Sequence, residues 1–330
     1  MTYQNKVSVI IPTKNPGIIF RRVLSSVCEQ KTAFPFDILV IDSGSTDGTI
    51  DYVKCVADTR VRLQQIDPSE FGHGRTRNLA VSQTSGEYVA MITHDACPAS
   101  DAWLENLINM ADRDTRIAGV FGRHIAYPEA SSFTARELEM HFAGFEANPI
   151  VLLDDVQRYA ADVGYRQYLH FFSDNNALIR RRAWESIPYP DVNFAEDQIW
   201  AQKIIEAGWH KAYAADAVVF HSHDYSLFER LQRSFDESYA FLRLFGYQLC
   251  PDLKTMIRSW IALTVRDMRF ARATGLWRQA PMAVAIAPFD NLMRMLGHYL
   301  GTRGDRLQPA TQKRLSRDYR VLTGLLRVKK

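Results

Sequence analysis

Asp95 follows the apolar run Tyr88-Val89-Ala90-Met91-Ile92-Thr93 and stands three residues before Pro98. A hard divalent cation takes oxygen ligands and commonly uses one or two carboxylates plus substrate phosphates, so a carboxylate at the end of a buried strand is a candidate ligand. A turn-capping aspartate has the same surroundings. Glu196-Asp197 immediately precedes the helix-like segment 198–207. The helix dipole favours acidic residues there, and a carboxylate at such a junction can also take a proton from a hydroxyl nucleophile. Local sequence does not separate the two roles. His221 and His223 follow a strand-like run, and alternation puts them on one side, next to Asp224. Imidazoles and a carboxylate so grouped can share one metal ion.

Phe71-Gly72-His73-Gly74-Arg75-Thr76-Arg77-Asn78 places two glycines and two arginines at the start of a helix expected over 75–84. Glycine permits close backbone approach, and arginine at a helix N-terminus suits a phosphate. A solvated basic loop is the plain alternative. Arg180-Arg181-Arg182 reads mostly as a solvated face, with one member available to a phosphate.

Segments 7–12, 36–42, 61–66 and 88–93 are rich in β-branched and apolar residues and read as strands. Helical spacing falls between them at 18–30, near 49–57 and at 75–84, and continues at 102–112. This alternation predicts an α/β fold with a mostly parallel, doubly wound sheet. Ligand crevices in such sheets lie beyond the carboxyl ends of the strands. Pro12-Thr13, Asp42-Ser43-Gly44 and His94-Asp95 each follow a strand, so three stretches deliver polar groups to one edge. Further on, 131–147, 156–159 and 183–187 read as helices, 177–179 and 217–220 as strands, and 227 onward as helices broken at Pro251, Pro281 and Pro288.

The composition, 47% hydrophobic and 23% charged over 330 residues, is globular and excludes a disordered or collagen-like chain. The most apolar stretch, 280–289, falls short of the ~20 residues that span a bilayer. Four scattered cysteines, Cys28, Cys55, Cys97 and Cys250, read as reduced thiols of a cytoplasmic protein. The net charge of +3 hides a split: 24 basic and 32 acidic residues in 1–250, but 16 and 5 in 251–330.

Together these residues resemble a family. Val7-Ser8-Val9-Ile10-Ile11-Pro12-Thr13-Lys14-Asn15 resembles the opening of family 2 glycosyltransferases of the GT-A fold. Ile41-Asp42-Ser43-Gly44-Ser45-Thr46-Asp47-Gly48-Thr49 is similar to their nucleotide-binding turn, and Arg77-Asn78, Gly86-Glu87-Tyr88 and Ala195-Glu196-Asp197 follow in the family's order. The 71–78 segment and Phe220-His221-Ser222-His223 are similar to bacterial rhamnosyltransferases that build surface polysaccharides. The family's Asp-x-Asp metal motif falls on Thr93-His94-Asp95, where Thr93 replaces the first acid.

The resemblance implies a GT-A domain over 1–245, with a nucleotide-sugar half of about 1–125 and an acceptor half of about 126–245, and a basic helical region over 246–330. It implies an inverting transfer from a nucleotide-diphospho-sugar to a hydroxyl of a saccharide or lipid-linked acceptor. L-rhamnose from dTDP-rhamnose is the expected sugar, with other UDP- or GDP-sugars as alternatives. Pro12, Thr13, Asp42, Ser43, Gly74, Arg75, Arg77, Thr93, His94 and Asp95 would hold the donor. Mg²⁺ or Mn²⁺ would sit on Asp95 with His223 and His221. Asp197, or less readily Glu196, would be the base, and Asp174, Asn175, Asn176 and Trp200 would meet donor sugar or acceptor.

Basic helices carrying Trp and Leu in 251–330 fit peripheral contact with the inner face of a membrane, and equally a helical subdomain or an arm between copies of the chain. Nucleic acid is not expected, since no such module is present. A nucleotidyltransferase would need a Gly-rich basic loop where Thr13-Lys14-Asn15-Pro16-Gly17 stands. A non-catalytic sugar-nucleotide-binding subunit would not need Glu196-Asp197, His221 and His223.

Overall fold

The computed structural model describes residues 5–192 and 194–322. These divide into two compact units, with the boundary between residues 222 and 223. The strands of the first unit are β1 (Asn5–Thr13), β2 (Phe36–Asp42), β3 (Val61–Gln65), β4 (Gly86–Ile92), β5 (Cys97–Pro98), β6 (Ile117–Ile125), β7 (Ile150–Val151), β8 (Asn176–Arg180) and β9 (His210–Phe220). Its helices are α1 (Ile19–Cys28), α2 (Thr49–Lys54), α3 (His73–Ser82), α4 (Trp103–Ala111), α5 (Ser132–Ala143), α6 (Val156–Ala161), α7 (Val163–His170), α8 (Arg181–Ser186) and α9 (Glu196–Glu206).

All strands join one sheet in the order β3-β2-β1-β4-β8-β6-β9-β5, with β7 pairing β9. Alternation along β1 sends Val7, Val9 and Ile11 to a core on one face, where α1 contributes Phe20, Val23, Leu24 and Val27. Ile10 points to the other core with Leu39, Met91, Phe121 and Trp200. Burial on both faces explains why these strands read as unbroken apolar runs.

The sheet is doubly wound, as the alternation predicts, but mixed. β3, β2, β1 and β4 are parallel, and so are β6 and β9; β8 runs antiparallel between β4 and β6. Thr13 therefore pairs with Asp42, and Ile92 with Asn176, along one edge. The start of β8 thus stands opposite the end of β4, whose parallel neighbours β1 and β2 end along the same edge.

The reading of Arg180 and Arg181 as solvated is corrected. Arg180 donates to the carbonyls of Ile117 (2.8 Å) and Ala111 (2.8 Å) and to the Tyr88 hydroxyl (2.7 Å). Arg181 donates to the carbonyls of Val81 and Gly86 and to Thr84 Oγ1. Both are buried. Their guanidiniums satisfy strand and helix ends that would otherwise be orphaned inside the protein.

The second unit is helical: α10 (Leu227–Phe245), α11 (Leu253–Ala273), α12 (Leu276–Gln279), α13 (Pro281–Gly301), α14 (Pro309–Leu315) and α15 (Arg317–Leu322). α10 and α13 pack closely because a Cβ on Gly297 would stand 2.4 Å from the Leu231 carbonyl oxygen, and one on Gly301 2.6 Å from that of Phe235. No described helix is long and apolar enough to cross a membrane.

Replacing Arg180 by methionine (Arg180→Met) strands two buried carbonyls and takes one partner from the Tyr88 hydroxyl, which keeps its bond to Asp112. We expect a loss of about 2–4 kcal/mol in urea unfolding. A change below about 0.5 kcal/mol, typical of surface positions, would return Arg180 to the solvent.

Candidate functional site

At the end of β2, Asp42 is wholly buried, and its Oδ1 accepts from the amides of Gly44 (2.9 Å) and Ser45 (2.8 Å). Its Oδ2 has no partner, and neither has the hydroxyl of Thr13, which sits opposite it in the sheet. Two buried polar atoms left unsatisfied side by side are costly unless something binds them. Ser43 donates its amide (3.0 Å) and hydroxyl (3.2 Å) to the Thr13 carbonyl, fixing the two strand ends to each other. The following loops are laced together. Asn15 Oδ1 accepts from the Thr46 amide (2.7 Å), and Asp47 accepts from the amide of Gly17 (2.8 Å). Pro12 is half-buried beside this turn.

At the end of β4, Thr93 has a buried hydroxyl without a partner. His94 and Asp95 are partly exposed. Asp95 Oδ1 lies 3.7 Å from His221 Nε2, beyond the end of β9. Asp95, His221 and His223 each offer one ligand atom, all within 4.8 Å of one another. Ligands on opposite sides of a divalent ion stand roughly 4–5 Å apart, so one carboxylate and two imidazoles fit such an ion. Sequence reading missed His124 on β6. Its ring meets His221 edge-on at 5.2 Å, and burial first, then His221, pushes its pKa well down.

The third cluster centres on Arg77. Its guanidinium donates to Glu196 (2.6 Å) and to the His73 carbonyl (3.0 Å), and its Nε stands 2.8 Å from Asp174 Oδ2, off the hydrogen-bonding direction. All three side chains are buried. Burial opposes the guanidinium's charge, but Asp174 and Glu196 more than offset it and raise its pKa. Arg77 is thus engaged by carboxylates and is not at a surface open to a diphosphate. Asp174 also accepts from Tyr189 Oη (2.8 Å), and burial raises it to about 6 against the pull of Arg77.

Asp197, partly exposed, begins α9 next to Glu196, after Ala195, a non-glycine residue at φ 55°. Its carboxyl accepts from the amides of Gln198 (2.8 Å) and Asp174 (3.4 Å). Burial, then the like charges of Glu196 and Asp174, push it well above the ordinary carboxylate range. Such a carboxylate holds a proton more tightly and is the stronger base near neutral pH.

Other expected contacts fall elsewhere. Arg75 is exposed and forms a forked pair with Asp191 (3.0 Å). A Cβ on Gly74 would stand 1.9 Å from the Pro190 carbonyl oxygen, so this glycine lets α3 approach the 189–192 loop. Asn176 spends its amide on Ala217 and Arg123 carbonyls and on Trp103, which makes it a core bracket. Trp200 is fully buried, stacked on Tyr189 at 5.3 Å, and supports the site from within the core rather than touching a sugar. Asn175, the residue before β8, remains partly exposed.

A curled α/β sheet with these clusters at its strand ends is the architecture of a GT-A glycosyltransferase. The protein-family description Glycosyl transferase family 2 matches residues 8–187, more than half of the chain and short of Glu196, Asp197, His221 and His223. The chain is 34% identical over 237 residues to the O-antigen chain rhamnosyltransferase RfbN of Salmonella typhimurium, covering 70% of this chain and 71% of that one. It is 30% identical over 232 residues to the O-antigen chain rhamnosyltransferase WbaN of Salmonella anatum, covering 69% and 70%. Its fold is similar to that of the mannosyltransferase PcManGT from Pyrobaculum calidifontis, solved with GDP-Man and Mn²⁺, at a TM-score of 0.58, 19% identity and coverages of 92% and 87%. The chain belongs to glycosyl transferase family 2 and is a glycosyltransferase.

Arg77→Met leaves Asp174 and Glu196 buried without their cation, and about 3–5 kcal/mol of stability should be lost at neutral pH. Asp174 binds its proton more tightly folded than unfolded, so stability falls as pH rises from the ordinary carboxylate value through about 6. That fall should steepen in the variant, measured by urea unfolding across this range. A small, pH-independent loss with weakened nucleoside diphosphate binding would make Arg77 a diphosphate ligand instead.

Proposed function

We propose that the chain transfers L-rhamnose from dTDP-rhamnose, with inversion, to a hydroxyl of a saccharide or lipid-linked acceptor in the synthesis of a bacterial surface polysaccharide. The sugar rests on the two O-antigen chain rhamnosyltransferases, each matched over more than two thirds of its length. The observation that carries the chemistry is Asp197, a carboxylate of raised proton affinity at the same sheet edge as Asp42 and Asp95. The amide of Asp174, two residues before β8, reaches Asp197, and β8 starts opposite the end of β4.

The buried, unpartnered oxygens of Asp42 and Thr13 are acceptor and hydroxyl groups suited to a nucleoside. Pro12 and Ser43 flank them. Thr93, His94 and Asp95 would meet the diphosphate, with Arg75 available if it exchanges Asp191 for a phosphate. Asp95, His221 and His223 would hold a divalent ion, and two imidazoles beside one carboxylate favour Mn²⁺ over Mg²⁺. Such an ion offsets the charge that grows on the leaving diphosphate. Asp197 takes the acceptor's hydroxyl proton while the hydroxyl oxygen bonds to the anomeric carbon, and the bond from that carbon to the diphosphate breaks. Glu196, locked to Arg77, orients rather than accepts. Asn175 is placed to meet donor sugar or acceptor.

The test is release of nucleoside diphosphate from a panel of dTDP-, UDP- and GDP-sugars, with Asp197→Asn alongside. dTDP-rhamnose should be turned over best. The variant should lose at least about a hundredfold in kcat while still binding donor. The wild-type rate should rise with pH along a limb displaced above that of an exposed aspartate. Near wild-type turnover in the variant would move the base elsewhere, and preference for another donor would replace the sugar.

Asp95→Ala is expected to weaken Mn²⁺ binding, read by the ion's electron paramagnetic resonance signal without any donor, by about tenfold or more. An unchanged titration would remove Asp95 from the metal site.

A further inference from the structure

The helical unit shows an outward face whose composition the glycosyl-transfer reading does not use. Along α11, Leu253, Ile257, Ile261 and Val265 recur at every fourth position and are 53%, 41%, 51% and 41% exposed. Trp277 on α12 and Met282, Ile286 and Phe289 on α13 continue the pattern at 52%, 72%, 45% and 57%. These are not strays from the core. α11 and α13 already bury Met256, Ala271, Val284 and Ala287, and Trp260 Nε1 donates to the Pro288 carbonyl (2.9 Å) to join the two helices. Each helix therefore has a second apolar stripe with water on it, and a stretch of such residues marks an interaction surface.

The exposed charged side chains within α11 and α12 have one sign. Lys254, Arg258, Arg269 and Arg272 are exposed on α11, and Arg278 on α12. The one acid within α11 and α12 is Asp267, buried and bonded to Asn291 (2.7 Å) and Arg266 (3.0 Å). A second copy of the chain docking symmetrically would bring these cations against their own kind. An anionic bilayer supplies both complements, acyl chains for the apolar stripe and headgroup charge for the arginines.

We propose that the exposed face of α11, α12 and the first half of α13 docks on the surface of an anionic lipid bilayer. The helices lie on the interface: none of the described helices is long and apolar enough to span it. Trp277, with a large apolar ring and one polar N–H, suits the headgroup boundary. The basic side chains reach the phosphates while their stems cover the apolar stripe.

The full chain should co-sediment with vesicles of phosphatidylcholine and phosphatidylglycerol, and weakly with phosphatidylcholine alone. Charge reversal at Arg269→Glu and Arg272→Glu should weaken binding by about tenfold or more. Ile261→Ser with Phe289→Ser should do the same with an unchanged thermal unfolding midpoint, since both side chains are exposed. Brominated acyl chains should quench tryptophan fluorescence in the wild type, and that quenching should shrink in Trp277→Phe. Equal binding by wild type and variants, no preference for the anionic vesicles, or a wild-type dimer that Ile261→Ser with Phe289→Ser makes monomeric would each overturn the proposal. The dimer outcome would assign the face to a second copy. No donor sugar enters these measurements, so their failure leaves the transfer reading standing, and the reverse holds.

Discussion

One guanidinium holds the acidic end of the site together. Arg77, on α3, meets Glu196 at the start of α9 and Asp174 in the strap before β8, so three segments distant in sequence converge on it. Gly74 allows the approach by leaving room for the Pro190 carbonyl, and Asn78 holds the same loop by donating to the Tyr189 carbonyl (2.9 Å). Tyr189 then returns a hydroxyl hydrogen bond to Asp174. The charges do not balance: one cation stands among three carboxylates. Glu196 and Asp174 draw most of its field, and Asp197, next along the helix, feels their repulsion together with the loss of water. Its raised proton affinity comes first from burial, and that imbalance adds to it.

The opposite end of the strand edge is built on another principle. There the backbone is fixed and the side chains are left wanting. Gly44 and Ser45 amides hold one oxygen of Asp42, and the Ser43 amide holds Thr13, yet Asp42 Oδ2 and the Thr13 hydroxyl stay unpaired. Among the described residues, the two non-glycine positions in the left-handed region are Asn15 and Ala195. One lies in the loop after β1 and the other immediately precedes Glu196-Asp197. Each costs about 1 kcal/mol or more, which the surrounding hydrogen bonds and packing must over-determine. Local strain has therefore collected at both ends of the site, while the strands between them follow ordinary parallel geometry.

How much of this the sequence discloses depends on the range of the interaction. Strand and helix periods are local, and so are turns such as Asp42-Ser43-Gly44; both were legible, including the convergence of three strand ends. Partners across the chain were not. Arg77 looks like a phosphate ligand until Glu196, 119 positions away, is placed beside it. Arg180 and Arg181 look solvated because a run of arginines usually is, and only the antiparallel insertion of β8 buries them against carbonyls of other strands and helices. Trp200 has the residue type of a sugar platform, but Gly119 and Phe172 close over it in the core, with a Cβ on Gly119 only 2.8 Å from its ring. His124 carried no local signal, since a lone histidine in a strand is ordinary; its neighbour His221 gives it meaning.

The charge count shows the same limit in another form. Residues 1–250 carry an excess of acids, which suggests a negative surface. Several of those acids never meet water: Asp42, Asp174 and Glu196 are buried, and two of them face Arg77. Their charge is spent on fixing a site, so it says little about what the outside attracts. The excess of bases in 251–330 is different in kind, because Lys254, Arg258, Arg269, Arg272 and Arg278 are exposed and lie beside exposed apolar side chains. Net charge along a sequence becomes a statement about partners only after burial has divided the charges that build the interior from those that face solvent.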